Sequence, residues 1–155
     1  MQRVFLTFFG AGLSPKAPGT AGSIAAAIVA FFVLKFFSAT TLFLATILIS
    51  LVAINVINEY EKQTGEHDHQ SIVIDEVAGV WLAFVISGTT ITQMILSLMF
   101  FRIFDITKPS IIGRIDRNVK GGLGVMGDDL VAGFVAGIAS AMVYGVLLKF
   151  GISVI

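Results

Sequence analysis

Nearly all the charge in this 155-residue sequence is confined to two short segments, and this distribution limits what the chain can fold into. Sixteen of its 20 charged residues lie in a first polar segment, residues 59–76, and a second polar segment, residues 102–129. Elsewhere the chain is strongly apolar, with a mean hydropathy of +0.94 and only 13% charged residues overall. Soluble domains carry about 25% charged residues, so the sequence predicts a protein that folds in a bilayer.

The lack of cysteine and of net charge limits the possible functions of the protein. The sequence has no cysteine, which excludes disulfide frameworks, thiolate zinc sites, iron–sulfur clusters and cysteine nucleophiles. The formal net charge is zero, so there is no basic field to bind nucleic acid. A metal ion would need carboxylate, histidine or backbone oxygen ligands.

Long uncharged stretches flank the polar segments and are candidate membrane helices: residues 22–34, 36–58, 77–101 and 130–148. The third stretch could form one tilted span or a helical hairpin that turns at Ser87-Gly88-Thr89-Thr90. As one span it would separate the two polar segments across the membrane. As a hairpin, with helices over residues 72–87 and 90–107, it brings them to the same side. The turn chemistry favours the hairpin.

Charge asymmetry favours the hairpin too, because it places eight cations on one face and leaves Lys35 and Lys149 on the other. Cytoplasmic loops of membrane proteins carry an excess of Lys and Arg. We therefore expect a single domain over residues 1–155, an all-α membrane bundle of about five helices. We expect each helix to be short, about 16–19 residues, with the polar segments in the cytoplasm. The eight cations are Arg3, Lys16, Lys62, Arg102, Lys108, Arg114, Arg117 and Lys120.

The last apolar stretch carries small residues at every fourth position: Gly133, Gly137, Ala141 and Gly145. Such a stripe lets a neighbouring helix backbone approach closely. It predicts packing within the bundle or between two copies of the chain.

A short sequence repeat, called here the Asp-x-Val-Ala-Gly echo, occurs at two predicted helix starts. Residues 75–79 and 129–133 both read Asp-x-Val-Ala-Gly. Carboxylates favour helix N-termini, but acids at a membrane boundary are costly unless they have partners. The echo therefore indicates a functional pair of acids, Asp75 and Asp129.

The polar segments together bring carboxylates and cations to the same face, which is the chemistry of a divalent cation beside a phosphate. Arg102 and Asp105 are three residues apart and share a helix face. Lys108 follows three residues later, and Pro109 then ends the helix. Read by themselves, these three residues could equally be an interfacial ion pair with a snorkelling lysine.

Three further patterns are less specific. The His67-Asp68-His69 run could supply a metal ligand, a general acid or base, or a phosphate contact. The glycine-rich residues 121–127 could cradle a phosphate or form a flexible turn. Residues 14–23 precede a helix N-terminus, a natural anion site, with Lys16 as the candidate cation.

Taken in order, five motifs cover nearly the whole chain: residues 12–23, residues 67–76, the Phe-Arg-Ile-Phe-Asp-Ile-Thr-Lys-Pro run at 101–109, residues 116–122, and Gly127-Asp128-Asp129. This series resembles that of the phosphatidylglycerophosphatase A family. The resemblance implies a Mg²⁺-dependent lipid phosphatase of the bacterial inner membrane. It would take a phospholipid substrate, phosphatidylglycerophosphate, and release phosphatidylglycerol and phosphate.

Together these patterns give a residue-level hypothesis. Arg102, Lys108, Arg117 and Lys16 bind the phosphate. The expected Mg²⁺ ligands are Asp75, Glu76, Asp128 and Asp129, and the expected catalytic residues are Asp75, Glu76, Asp105, Asp129 and His69. Attack by water and an aspartyl-phosphate intermediate both stay open.

A different class of function is a small transporter or channel with an acidic ion site. Against it, the charges cluster at one face, whereas a transport pathway would place some of them near the middle of the membrane.

Overall fold

The structure, a computed structural model, describes residues 1–67 and 69–151 and is entirely helical over those ranges. Its α-helices there are α1 (Gln2–Leu6), α2 (Pro18–Phe36), α3 (Ala39–Thr64), α4 (Ile74–Ser87), α5 (Ile91–Thr107), α6 (Ile111–Asn118) and α7 (Gly121–Lys149). A 3₁₀ turn, Ala11–Leu13, precedes α2. The predicted all-α membrane bundle is confirmed. The expected number of about five helices is slightly low, because short α1 and α6 were not anticipated.

The predicted hairpin between α4 and α5 is present. Gly88 ends α4 with a positive φ of 111°, and Thr90 caps α5 by accepting a hydrogen bond from the Gln93 amide at 3.2 Å. The Gln93 side chain reaches back to accept from the Thr90 amide and to donate to the Ser87 carbonyl. Because the chain reverses here, both polar segments lie at the same end of the bundle.

Helix lengths differ from the expected 16–19 residues. α3 has 26 residues and α7 has 29. Both continue through residues that the hydropathy pattern assigned to polar connections, since a helix face that lines a cavity or water needs no apolar side chains. By length and composition, α2, α3 and α7 are apolar enough to cross a membrane. α4, with 14 residues, is only about 21 Å long and is shorter than the roughly 30 Å hydrocarbon core.

The shortest of these apolar helices, α4, lies at the centre of the bundle. Ten of its 14 residues are buried, and it packs against α2, α3, α5 and α7. The Trp81 indole donates a hydrogen bond to the Ala26 carbonyl of α2 at 2.9 Å. The outer helices instead expose large apolar side chains such as Phe32, Leu51 and Met142, as expected for surfaces that face lipid.

The Asp-x-Val-Ala-Gly echo marks the place where α4 and α7 cross. A Cβ atom added to Gly133 would lie 2.9 Å from the Gly79 Cα atom, and one added to Gly79 would lie 2.7 Å from the Asp129 carbonyl oxygen. The two backbones therefore touch where each helix has its echo glycine. Since each echo acid precedes its glycine by one turn, Asp75 and Asp129 lie at the same level of the bundle.

Part of the small-residue stripe is used for packing inside the chain. Gly133 contacts α4 as described, and a Cβ atom on Gly137 would lie 2.8 Å from the Ala83 carbonyl oxygen. Gly145 faces open space in the described chain. The stripe therefore supports the bundle itself, and association of two copies stays a prediction.

The glycine-rich residues 121–127 form neither a phosphate-cradling loop nor a flexible turn. They are the first two turns of α7. A Cβ atom on Gly122 would lie 2.9 Å from the Ile54 backbone of α3, and the Gly122 amide donates a hydrogen bond to the Asn58 side chain at 2.7 Å. Small residues here let α7 approach α3, and Asn58 satisfies one of the free amides at the start of α7.

We expect Gly133→Ala to lower the free energy of unfolding by about 1–3 kcal/mol, because overpacking would force α4 and α7 apart. The matched control is Gly145→Ala, which adds the same methyl group to open space on the same helix and should leave stability unchanged or slightly raised. Thermal unfolding in detergent, followed by fluorescence of the single tryptophan, Trp81, measures both. Equal melting of the two variants would contradict the crossing.

Candidate active site

A cavity of about 470 Å³ opens at the end of the bundle where the two polar segments meet. α2, α4 and α7 each contribute residues from or near their N-terminal end, and α5 contributes its C-terminal end. The residues that line the cavity are Pro18, Gly19, His67, Gln70, Ile72, Asp75, Glu76, Arg102, Asp105, Lys108, Asp116, Gly124, Val125, Asp128 and Asp129. The sequence hypothesis is therefore correct in bringing both segments to one site.

Negative charge dominates this cavity. Among the described residues, six carboxylates line it against two cations, Arg102 and Lys108. Three of the acids, Asp75, Asp128 and Asp129, are no more than 7% exposed. Buried like charges are unfavourable unless protons or cations offset them, so the cavity has the electrostatics of a cation site.

Three carboxylates form the centre of the site: Asp75 and Glu76 from the first turn of α4, and Asp129 from α7. Each can present one oxygen such that all three lie within 4.8 Å of one another. The Oε2 atom of Glu76 is buried without a hydrogen-bond partner in the described ranges. Three oxygen donors with an unused buried lone pair fit a hard divalent cation. We call these residues the carboxylate trio.

Asp128 is held apart from the trio. Its side chain forms an ion pair with the Lys108 ammonium group, which also contacts Asp116 at 2.6 Å. Consecutive residues on a helix point about 100° apart, so only one of the Asp128–Asp129 pair can face Asp75. The predicted metal ligands thus separate into the trio and one acid paired with lysine.

Lys108 occupies the end of α5, where its backbone adopts a left-handed conformation with φ 42°. Burial lowers the pKa of its ammonium group, but hydrogen bonds and charge from Asp116 and Asp128 outweigh burial and hold that pKa above its usual value. Lys108 is therefore a permanent cation that ties α6 and α7 to the end of α5.

Arg102 lies one turn from that end and contacts both sides of the cavity. Its guanidinium group bonds Asp105 at 2.5 Å, lies 3.9 Å from Glu76, and donates at 3.4 Å to the hydroxyl groups of Ser23 and Thr20 on α2. The Nε atom is buried without a hydrogen-bond partner in the part of the chain that the structure describes. Arg102 also lines the cavity, so its guanidinium group offers positive charge to an anion there.

The start of α2 also reaches the cavity, as residues 14–23 predicted. Gly19 approaches so closely that an added Cβ atom would lie 3.3 Å from the Arg102 guanidinium. The other two predicted phosphate ligands lie elsewhere: Lys16 and Arg117 are exposed, and neither is among the described residues that line the cavity.

The two histidines differ in position. His67 lines the cavity, and its Nδ1 atom lies 2.6 Å from the Glu61 carboxylate. His69, the predicted catalytic histidine, is half-buried outside the lining, with its ring 2.8 Å from the Ser71 hydroxyl and 3.5 Å from Glu66. Asp68, between them, lies outside the described residues.

Sequence reasoning missed Glu61, Thr20 and Ser23. Glu61 precedes His67 by six residues, a spacing with no local signature, and the two meet only because α3 ends at Thr64 and the chain turns at Gly65. Thr20 and Ser23 fall within residues 14–23, the segment predicted as an anion site, but the sequence assigned no role to their hydroxyl groups.

Sequence comparisons relate this chain to known phosphatases. The profile of the family described as "Phosphatidylglycerophosphatase A" matches residues 4–144. A protein of that name from Escherichia coli (strain K12) is 41% identical over 130 residues, covering 83% of this chain and 74% of that protein. Its namesake from Haemophilus influenzae is 34% identical over 145 residues, covering 93% and 83%.

A third relative carries a different name. A "Putative phosphatidylinositol-3-phosphatase" from Bacteroides thetaiotaomicron is 40% identical over 137 residues, covering 82% of this chain and 83% of that protein. No solved structure matches the chain. With the profile covering most of the sequence and the motif series in order, the chain belongs to the phosphatidylglycerophosphatase A family of phosphatases.

Proposed function

We propose that the protein hydrolyses phosphatidylglycerophosphate to phosphatidylglycerol and phosphate in a Mg²⁺-dependent reaction within the 470 Å³ cavity. The carboxylate trio carries this proposal, because three converging acids beside a partly buried arginine match the needs of a divalent cation and a phosphate. The names of the Escherichia coli and Haemophilus influenzae relatives support the choice of substrate.

Asp75, Glu76 and Asp129 would hold the cation. When bound, Mg²⁺ supplies positive charge that offsets the charge of the trio and of the phosphate oxygens. Asp128 serves the site indirectly: its ion pair with Lys108 ties α7 to the end of α5 one residue before Asp129, and so helps to position Asp129.

Phosphate binding falls mainly to Arg102. Its side chain lines the cavity and is 19% exposed, while Asp105, Thr20 and Ser23 hold the guanidinium group in place. The N-terminal turn of α2 adds backbone amides near Gly19 that favour an anion.

Hydrolysis of a phosphate monoester also needs two proton transfers. The attacking water loses a proton, and the leaving glycerol oxygen gains one. We assign the first to Asp105, which lines the cavity outside the trio and is held by Arg102. We assign the second to His67, which lines the cavity with Glu61 behind it; the sequence hypothesis had favoured His69.

We also propose the bacterial inner membrane as the location, with the site facing the cytoplasm. Eight cations lie in elements or loops at the site end of the bundle, whereas Lys35 and Lys149 lie in the last turns of α2 and α7 at the other end. This asymmetry matches the positive-inside rule.

Two other functions can be distinguished from the proposed phosphatase reaction. The Bacteroides thetaiotaomicron relative makes a phosphoinositide monoester a second candidate substrate, with the same bond broken. The transporter alternative has less support, because the described acids around the cavity gather at one end of the helices.

We expect the purified protein in detergent to release phosphate from phosphatidylglycerophosphate faster than from phosphatidylinositol 3-phosphate, and only with Mg²⁺ present. EDTA should abolish release, and excess Mg²⁺ should restore it. Absence of release from both lipids would reject the proposed reaction, and release that EDTA leaves unchanged would reject the metal requirement.

Asp129→Asn should lower kcat by about 100-fold or more, because it removes one charge from the trio while keeping its shape. Glu59→Gln, on an exposed part of α3 where Glu59 pairs only with Lys62 among described contacts, is the matched control and should retain full activity. Melting of both variants checks that they fold. Near-normal turnover by Asp129→Asn would remove Asp129 from the site.

His67→Gln and His69→Gln together distinguish the two histidines. If His67 donates the proton, His67→Gln should lower kcat by about 10²–10⁴-fold, and His69→Gln should have a much smaller effect. Steady-state kinetics with phosphatidylglycerophosphate measure both. The reverse order would restore the assignment to His69.

A further inference from the structure

A second cavity, an apolar groove of about 290 Å³, lies between α2 and α5 on the outside of the bundle. It is formed by residues such as Ile24, Ala27 and Phe31 of α2, and Met94, Ile95 and Leu98 of α5. The side chain of Phe84 from the central helix also lines it. No charged side chain of the described residues lines it.

The groove lies next to the catalytic cavity along the same two helices. α2 and α5 run in opposite directions, so the start of α2 and the end of α5 meet at the site. Gly19 and Arg102 line the catalytic cavity, whereas Ile24 and Leu98 already line the groove. The two cavities are thus about one helical turn apart on each helix.

Polar contacts occupy that turn. The Arg102 guanidinium donates to the hydroxyl groups of Thr20 and Ser23, both at 3.4 Å. Below them the side chains are aliphatic or aromatic, and Ile24 and Ile95 are about half exposed toward the membrane side. The interface between α2 and α5 therefore changes from a phosphate-binding arginine to a hydrocarbon surface within one turn.

We propose that this groove, the α2–α5 groove, binds an acyl chain of the phospholipid substrate while Arg102 holds the phosphate. The inference rests on the proposed lipid phosphatase function and adds a binding site for the tail. A phospholipid carries the matching groups in the same order as the interface between α2 and α5: an anionic phosphate, then a short polar linkage, then a hydrocarbon chain.

A larger apolar cavity of about 560 Å³ lies on another side of α2, where Phe5, Phe8 and Trp81 are among its lining residues. No residue of α5, the helix that carries Arg102, lines it. It shares Ile28 with the groove, but it has no wall from the helix that carries Arg102, so it serves as the control surface. Ala25 faces this cavity and Ala27 faces the α2–α5 groove, only two residues apart on one helix.

The test compares Ala27→Phe with Ala25→Phe on phosphatidylglycerophosphate carrying two oleoyl chains or two hexanoyl chains, in detergent micelles. Ala27→Phe should raise KM for the dioleoyl substrate about tenfold, since a filled groove loses several methylene contacts. It should leave kinetics on the dihexanoyl substrate nearly unchanged. Ala25→Phe should match the wild type on both.

Other outcomes would overturn the proposal that the groove binds an acyl chain. If Ala27→Phe affects both chain lengths equally, or Ala25→Phe shows the same chain-length dependence, the acyl chain has no specific seat there. A wild type that hydrolyses neither substrate refutes the phosphatase proposal itself, whereas an active wild type with an unaffected Ala27→Phe refutes only the groove.

A measurement on the unaltered protein covers the case in which Ala27→Phe does not fold. Phosphatidylglycerophosphate with a photoreactive diazirine in one acyl chain should crosslink to peptides containing Ala27, Met94 or Leu98, and a non-reactive dioleoyl substrate should compete. Crosslinks spread evenly over all lipid-facing helices would mean surrounding lipid only, and would overturn the proposal.

Discussion

The contact between the backbones of α4 and α7 is the constraint on which the site depends. The helices touch at Gly79 and Gly133, where either Cβ atom would collide with the opposing backbone. One turn earlier on each helix stands an aspartate, so the same crossing that packs the bundle brings Asp75 and Asp129 together. A wider crossing would move the two carboxylates apart. Packing and chemistry in this protein therefore share the same two glycines.

Bringing acids together in a mostly buried place carries an energetic cost that the surrounding residues reduce. Lys108 pairs with Asp128 and Asp116, and Arg102 pairs with Asp105 and approaches Glu76. Among the described residues these two cations leave the trio without a full complement of positive charge. A divalent cation is the simplest way to complete it. The packing of the apolar helices α2, α3 and α7 offsets the cost of this charged cluster. The two cations matter as well, because removing one partner of a buried ion pair is strongly destabilising.

Much of this arrangement could be predicted from the sequence, and the parts that could not have physical reasons. The distribution of charge and the Ser87–Thr90 turn predict the hairpin, because both depend on local chemistry and on the solvent. The repeated Asp-x-Val-Ala-Gly predicts two of the three trio members. Whether Asp128 or Asp129 faces the trio depends on the rotation of α7 against α4, which no local pattern records. The choice between His67 and His69 depends on how the chain after α3 turns back on Glu61, a contact that follows no helical spacing. Helix ends were misjudged for a related reason, because hydropathy reports where lipid ends and not where a helix ends.

The depth of the trio in the bundle connects the site to the membrane. Asp129 is the ninth residue of α7, so it lies about 12 Å below the start of that helix. Asp75, by contrast, is the second residue of α4. α4 therefore begins below the level at which α7 begins, and α6 together with the segment before α4 surrounds the opening. A phosphate that reaches the trio must descend past the helix ends, and it can do so with its hydrocarbon still in the bilayer only if the chain passes beside the bundle. In the proposed reaction the α2–α5 groove would offer that route, because it lies about one turn from the cavity and faces outward. In the proposed reaction, a short central helix, recessed between longer ones, would thus set both where the reaction occurs and from which side a lipid reaches it.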